Sequence, residues 1–237
     1  MKSSYWTETC TPLYSFIFSM PLILIYELGV FAISASDLPL LRNGADVLMR
    51  QILHLLGLYG IYSFSGVFLA VFGIVYWRQK KSLKKISLKG EYLLWMLLES
   101  VGWAILLSLV LAWFPHLLMW GSEERLLQQA ILAIGAGIYE EFVFRVILIT
   151  GIGSILGFLF QWGPEVKKAG GVILAAVLFS LFHFVGEFGD PPELNLFLLR
   201  FGAGVYLGLV YIFRGFGVAA YTHTIYDLFV LVQFTVR

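Results

Sequence analysis

Acids, imidazoles and a guanidinium set inside apolar sequence are the residues of this chain that could do chemistry. Three groups stand out in its second half: Glu140-Glu141-Phe-Val-Phe-Arg145, Phe179-x-x-x-His183 and His223-Thr-Ile-Tyr-Asp227. Glutamate, histidine and aspartate are the side chains that take a proton from a water and polarise a carbonyl. Glu141 precedes Arg145 by four residues, which puts the two on one helix face in the favourable order, so the pair should neutralise itself. Glu140 is rotated by about 100° from that face on a regular helix and points at another part of the interior. The same four-residue spacing stacks His223 with Asp227. Each group taken singly also has a structural use, as a charge network, an interhelical histidine hydrogen bond or a His–Asp pair. Complementary side chains on three separate segments make a shared site the stronger expectation.

The elements that must position these groups are membrane helices. Of the 237 residues, 59% are apolar and only 13% charged, against about 25% charged in soluble domains, and the mean hydropathy is +0.85. Spans of roughly 20 apolar residues fall near 12 to 33, 55 to 77, 92 to 114, 126 to 150, 171 to 187, 195 to 213 and 216 to 236. The expected fold is therefore all-α, a polytopic transmembrane bundle of about seven to eight helices. Residues 45 to 56 mix charges with leucines, as an interfacial helix would. Residues 151 to 162 either extend the fourth span or form a short embedded segment. Residues 12 to 33 are expected to be a retained span, kinked at Pro21, because no basic stretch, short apolar core and cleavage site precede it in series. A single cysteine, Cys10, rules out an internal disulfide. With no repeat or linker, residues 1–237 make one membrane domain, in which 126–232 form the core that carries the three groups.

An ionisable group facing lipid unpaired at the bilayer centre costs at least ~2.5 kcal/mol, so these side chains are expected to face the bundle interior, with Glu27 and Glu99 satisfied there as well. Arg78, Lys80, Lys81, Lys84, Lys85 and Lys89 crowd one connector. Flanked by apolar spans, such a cluster sets topology and touches anionic lipid of the bilayer, and a nucleic-acid partner is discarded. Placing that connector inside puts the N-terminus, Lys167, Lys168 and Arg214 inside by alternation. It puts Glu123, Glu124, Glu187, Asp190 and Glu193 outside. At ~1.5 Å per residue, those span ends put Glu140 ~9 to 15 Å, His183 ~18 Å and His223 ~10 Å from the cytoplasmic boundary. A cavity in the inner half of a prokaryotic cytoplasmic membrane, reached from the cytoplasm, is the expectation.

As an ordered set, Glu140-Glu141-x-x-x-Arg145, Phe179-x-x-x-His183 and His223-x-x-x-Asp227 resemble the motifs of the CAAX-processing and bacteriocin-processing enzymes, the Abi family of intramembrane glutamic endopeptidases. Arg200-Phe-Gly-Ala-Gly-Val-Tyr-Leu-Gly208 is similar to that family's glycine-rich penultimate span. The resemblance implies a hydrolase in which Glu140 is general base on a water and His183 positions or activates that water. It further implies that His223 and Asp227 polarise the scissile carbonyl and stabilise the oxyanion. Glu141 and Arg145 would then support the site, and Arg200 is a candidate to bind a substrate carboxylate. The family has asparagine or aspartate at the last position. An ionised aspartate would repel an oxyanion, so Asp227 either carries a proton or only orients His223.

The expected partner is a membrane-associated protein or peptide substrate. No cofactor is expected. Zinc is the alternative, since a glutamate and two histidines can hold it, although no His-Glu-x-x-His is present. A Gly-x-Ser-x-Gly elbow is missing too. The alternative from another class is a non-catalytic scaffold or a proton-coupled transporter using the same Glu/His/Asp cluster, without the inverted halves a transporter often shows.

Overall fold

A computed structural model of the protein describes residues 5–32, 44–59, 66–67, 69–71, 73–74, 77, 88–112, 126–185 and 189–235. Regular structure among them is helical throughout. The helices are α1 (Tyr5–Thr9), α2 (Pro12–Ala32), α3 (Gly44–Leu55), α4 (Gly90–Leu111), α5 (Leu126–Leu159), α6 (Pro164–Phe182), α7 (Leu194–Arg214) and α8 (Phe216–Thr235). Ten of the 23 residues of the span expected at 55 to 77, the connector from Arg78 to Lys85, and Glu123, Glu124 and Glu187 lie outside the described residues. By length and composition α2, α4, α5 and α7 are apolar enough to cross a membrane. α6 and α8 have 19 and 20 residues, but α6 opens on Pro-Glu-Val-Lys-Lys and α8 carries the His223 group.

Two open points of the sequence are settled here. Residues 45 to 56 do form a separate short helix, and residues 151 to 159 extend the fourth span. α5 is thus one helix of 34 residues. Its middle is π-helical over Ala136–Glu140 and Phe142–Ile149, a departure that is rare and frequent at functional sites. A third point differs from expectation. α6 begins at Pro164, seven residues before the expected start, because proline is pre-organised for the first helical turn and Glu-Val-Lys-Lys-Ala-Gly-Gly continues that helix. It also ends at Phe182 rather than 187. His183 therefore sits at the C-terminal cap, ~28 Å from Pro164 at the α-helical rise, in the half of the bundle away from Lys167 and Lys168.

α8 is the central helix, packed against α2, α4, α5 and α7, while α6 lies on α5 and α7. Buried apolar residues of α2, α3, α5, α6 and α8 share one core, including Tyr26, Ile138, Phe144, Phe179 and Ala220. The outer faces are apolar as well: Leu28, Phe31, Leu94, Leu98 and Leu109 are all more than half exposed. That pattern suits a lipid surround, where polar groups turn inward.

The acids outside the three groups are satisfied as expected. Glu99 on α4 accepts from Arg214 Nη2 (2.8 Å) and Tyr5 Oη (2.8 Å), and Arg214 also donates to Thr9 Oγ1 (2.9 Å). This network ties α1, α4 and the end of α7 together. At the other end, Tyr139 Oη donates to Glu27 Oε1 at 2.6 Å, and Tyr26 Oη donates to Asp46 on α3 at 2.9 Å.

Close approach of α5 and α8 depends on Gly137. A Cβ there would run into Thr224 Oγ1 and stand 2.6 Å from the Ala220 carbonyl oxygen. Neither backbone can yield without opening the interface, and overpacking of this kind costs about 1–3 kcal/mol. Gly137→Ala should therefore lower the thermal unfolding midpoint in detergent, whereas Gly102→Ala on α4, with nothing within 4 Å, should not. Equal midpoints for the two variants would remove Gly137 from this role.

Candidate active site

The π-helical segment of α5 presents two adjacent carboxylates to two different helices. With hydrogen bonds reaching the fifth residue rather than the fourth, successive side chains turn by less than the 100° of a regular helix, yet Glu140 and Glu141 still diverge. Glu140 Oε2 faces His183 Nε2 across 3.9 Å. Glu141 is fully buried and lies 3.2 Å from Arg145 Nε through Oε2. Its other oxygen, Oε1, is 2.9 Å from His223 Nδ1. On α8, His223 Nε2 is 3.4 Å from Asp227 Oδ2. The structure thus brings all three groups into one cluster and confirms the Glu141–Arg145 pair that the spacing predicts.

Hydrogen-bond partners fix much of the proton arrangement. His183 Nδ1 lies 2.8 Å from the Phe179 carbonyl oxygen. A carbonyl only accepts, so Nδ1 carries the hydrogen, and in the neutral ring Nε2 turns a lone pair toward Glu140. His223 has a carboxylate at each ring nitrogen. If Nδ1–H donates to Glu141, the bare Nε2 lone pair faces a carboxylate oxygen of Asp227 at 3.4 Å, a contact that a further proton between the two relieves. That proton rests either on Asp227, which then donates to a neutral imidazole, or on His223 as imidazolium. Both states have the same proton count, so the alternatives left open by the sequence for Asp227 are two positions of one proton.

Phe179 is the residue whose importance the sequence understated. Its ring centroid lies 4.6 Å from the Arg145 guanidinium carbon, 4.8 Å from the His183 ring and 6.1 Å from the His223 ring. One aromatic face packs the cation while the edges hold both imidazoles. The signal was present in the phenylalanine of Phe-x-x-x-His, four residues before the histidine on the same helix face. The cross-helix bond from Glu141 to His223 joins residues 82 positions apart and had no local signal.

Arg200 on α7 belongs to the same neighbourhood, close enough to Glu140, Asp227 and His183 to interact electrostatically. It is ion-paired with Asp190 and lies over the Phe184 ring at 5.8 Å, and its Nη1 is buried without a hydrogen-bond partner. The Asp190 backbone N–H donates to the His183 carbonyl oxygen at 2.9 Å, fastening this segment to the site. His183 (24% exposed) and Asp190 (34%) are more open than Glu140 or Glu141, so the cluster opens past the end of α6. Among the described residues no three His, Cys, Asp or Glu side chains are arranged to hold a metal ion.

Residues 122–229 match the family described as type II CAAX prenyl endopeptidase, Rce1-like. All three groups and Arg200 lie inside that segment, which is the stretch that carries the resemblance read from the motifs. The segment is therefore similar to a protease family, and it lies in a chain with helices apolar enough to cross a membrane. No curated protein and no solved structure matches the chain.

Removal of one member of a buried charge pair leaves the other uncompensated and costs about 3–5 kcal/mol. Arg145→Ala should show that loss in denaturation of the purified protein. Adding Glu141→Gln to it should recover part of the stability, because the stranded carboxylate is gone. No recovery in the double variant would mean that Arg145 acts through packing on Phe179 alone.

Proposed function

From the family match over residues 122–229, we propose that the chain is an intramembrane endopeptidase that hydrolyses a peptide bond of a membrane-associated protein or peptide with a glutamate-activated water. The observation that carries this is the facing pair of Glu140 Oε2 and His183 Nε2, 3.9 Å apart. A water within hydrogen-bond reach of both, ~2.6–3.2 Å, fits that separation.

In this mechanism Glu140 accepts a proton from the water as its oxygen attacks the scissile carbonyl carbon, and His183 orients the water through Nε2. The carbonyl oxygen gains charge and is stabilised by the proton shared between His223 and Asp227. Such preorganised donors act strongly where water is excluded. Collapse of the tetrahedral intermediate breaks the C–N bond, and Glu140 returns its proton to the leaving amine. Glu141 holds His223 through Nδ1 and is itself held by Arg145, so these two position rather than react. Arg200, with one guanidinium nitrogen to spare, binds a carboxylate of the substrate beside Asp190. The chemistry uses no metal.

Glu140→Gln keeps the shape of the side chain and removes the base, so peptide cleavage should fall by about 10²–10⁴-fold with the unfolding midpoint near wild type. The measurement is a comparison of peptide termini in membranes from cells making either form. Termini that depend on the chain should vanish with the variant. If they form at the wild-type rate, Glu140 is not the base.

A further inference from the structure

A second feature lies beside the acid-bearing segment of α5, toward the end of the bundle that carries Lys167 and Lys168. A cavity of about 660 Å³ opens between the first turns of α2, α6 and α8 and the later turns of α5. Its inner wall is apolar, formed by Phe16, Phe142, Val146, Ile149 and Ile212. Toward the helix ends the lining becomes polar, with Thr150, Ser154, Lys167 and Lys168. Among the described residues lining it there are two lysines and no acid.

The lysines are placed with some definition. A Cβ at Gly157 would run into the Cγ, Cδ and Cε of Lys167, and one at Gly153 would stand 2.9 Å from the Lys167 carbonyl oxygen. The absence of side chains at these two positions lets the Lys167 stem lie flat on α5 and keeps its ammonium at the rim, as long basic side chains do at membrane interfaces. Lys168 is paired with Glu165 at 3.2 Å, both well exposed, so that pair is a weak one that a stronger anion can displace. An apolar inner chamber with a cationic rim, set among membrane helices, has the amphipathic character of one lipid. Lys89, Lys167, Lys168 and Arg214 all gather at this end of the bundle, the end that the positive-inside tendency assigns to the leaflet rich in anionic lipid.

We propose that this cavity is a binding site for one anionic phospholipid, its acyl chain against Phe16, Val146, Ile149 and Ile212 and its phosphate at Lys167 and Lys168, with the Ser154 and Thr150 hydroxyls beside it. Phe142, the residue after Glu141, packs edge-on to Phe216 at 6.3 Å and both line the cavity, so a bound lipid braces the wall against which the acid-bearing segment of α5 rests. The proposal rests on the membrane character of the fold and not on the protease reading.

The test is native mass spectrometry of the purified full chain equilibrated with phosphatidylglycerol or with phosphatidylcholine of the same acyl chains. One phosphatidylglycerol should be retained per chain, in preference to phosphatidylcholine by about 30-fold, the size two lysines give near an anionic lipid. Lys167→Gln with Lys168→Gln should bring the preference close to unity. Ser154→Trp, at an exposed helical position, should displace both lipids by filling the cavity. Glu140→Gln should retain the lipid as wild type does, which keeps the outcome separate from that of the proteolytic mechanism. Equal retention of the two lipids, a preference that survives loss of both lysines, or retention that Ser154→Trp does not touch would each overturn the proposal. Failure to retain either lipid would leave an apolar peptide segment as the occupant and overturn it equally.

Discussion

A carboxylate with no access to water must be paired, and Glu141 is the carboxylate on which this bundle turns. It has no exposed surface, so an unpaired charge there would cost several kcal/mol. Arg145 supplies a partner from its own helix and His223 supplies one from α8. The first makes the charge tolerable within α5. The second fixes the rotation of α8 and, with it, the direction in which His223 and Asp227 point.

Other features of the fold serve the same junction. α8 can come close enough for the Glu141–His223 bond because Gly137, one turn earlier, has no side chain to meet Thr224 and Ala220. Within the π-helical stretch around residues 136–149 consecutive acids still serve different helices, Glu140 toward α6 and Glu141 toward α8. Phe179 fills the space where α5, α6 and α8 meet, touching Arg145 and both imidazoles. The result separates two duties between neighbouring carboxylates: one is fully engaged in structure, and the other faces the more open histidine.

Local spacing made a good part of this legible in advance. The four-residue interval from Glu141 to Arg145 announces an ion pair because helical geometry leaves little choice. The apolar runs announce membrane helices for a similar reason, since only helices or closed barrels satisfy the backbone in lipid. The His223–Asp227 interval likewise survives in the structure. What escaped depends on contacts between distant residues. Nothing near Glu141 in the chain points to His223, and nothing near Arg200 shows that Asp190 will close on it. The limits of α6 were misjudged for a different reason. Hydropathy finds the apolar middle of a span, whereas α6 is started by Pro164 and carries two lysines in its first turns, so its start lies outside the apolar window.

Coupling between Glu141 and His223 is the claim on which the organisation of the site stands, and a double-mutant cycle measures it directly. Glu141→Gln, His223→Asn and the combined variant would be compared with wild type by equilibrium unfolding in the same detergent. Residues in hydrogen-bonded contact show interaction energies of about 0.5–3 kcal/mol. A coupling in that range is predicted, with the double variant less destabilised than the sum of the two single ones. Strict additivity would contradict the account, because it would mean that the carboxylate and the imidazole stand side by side without holding each other.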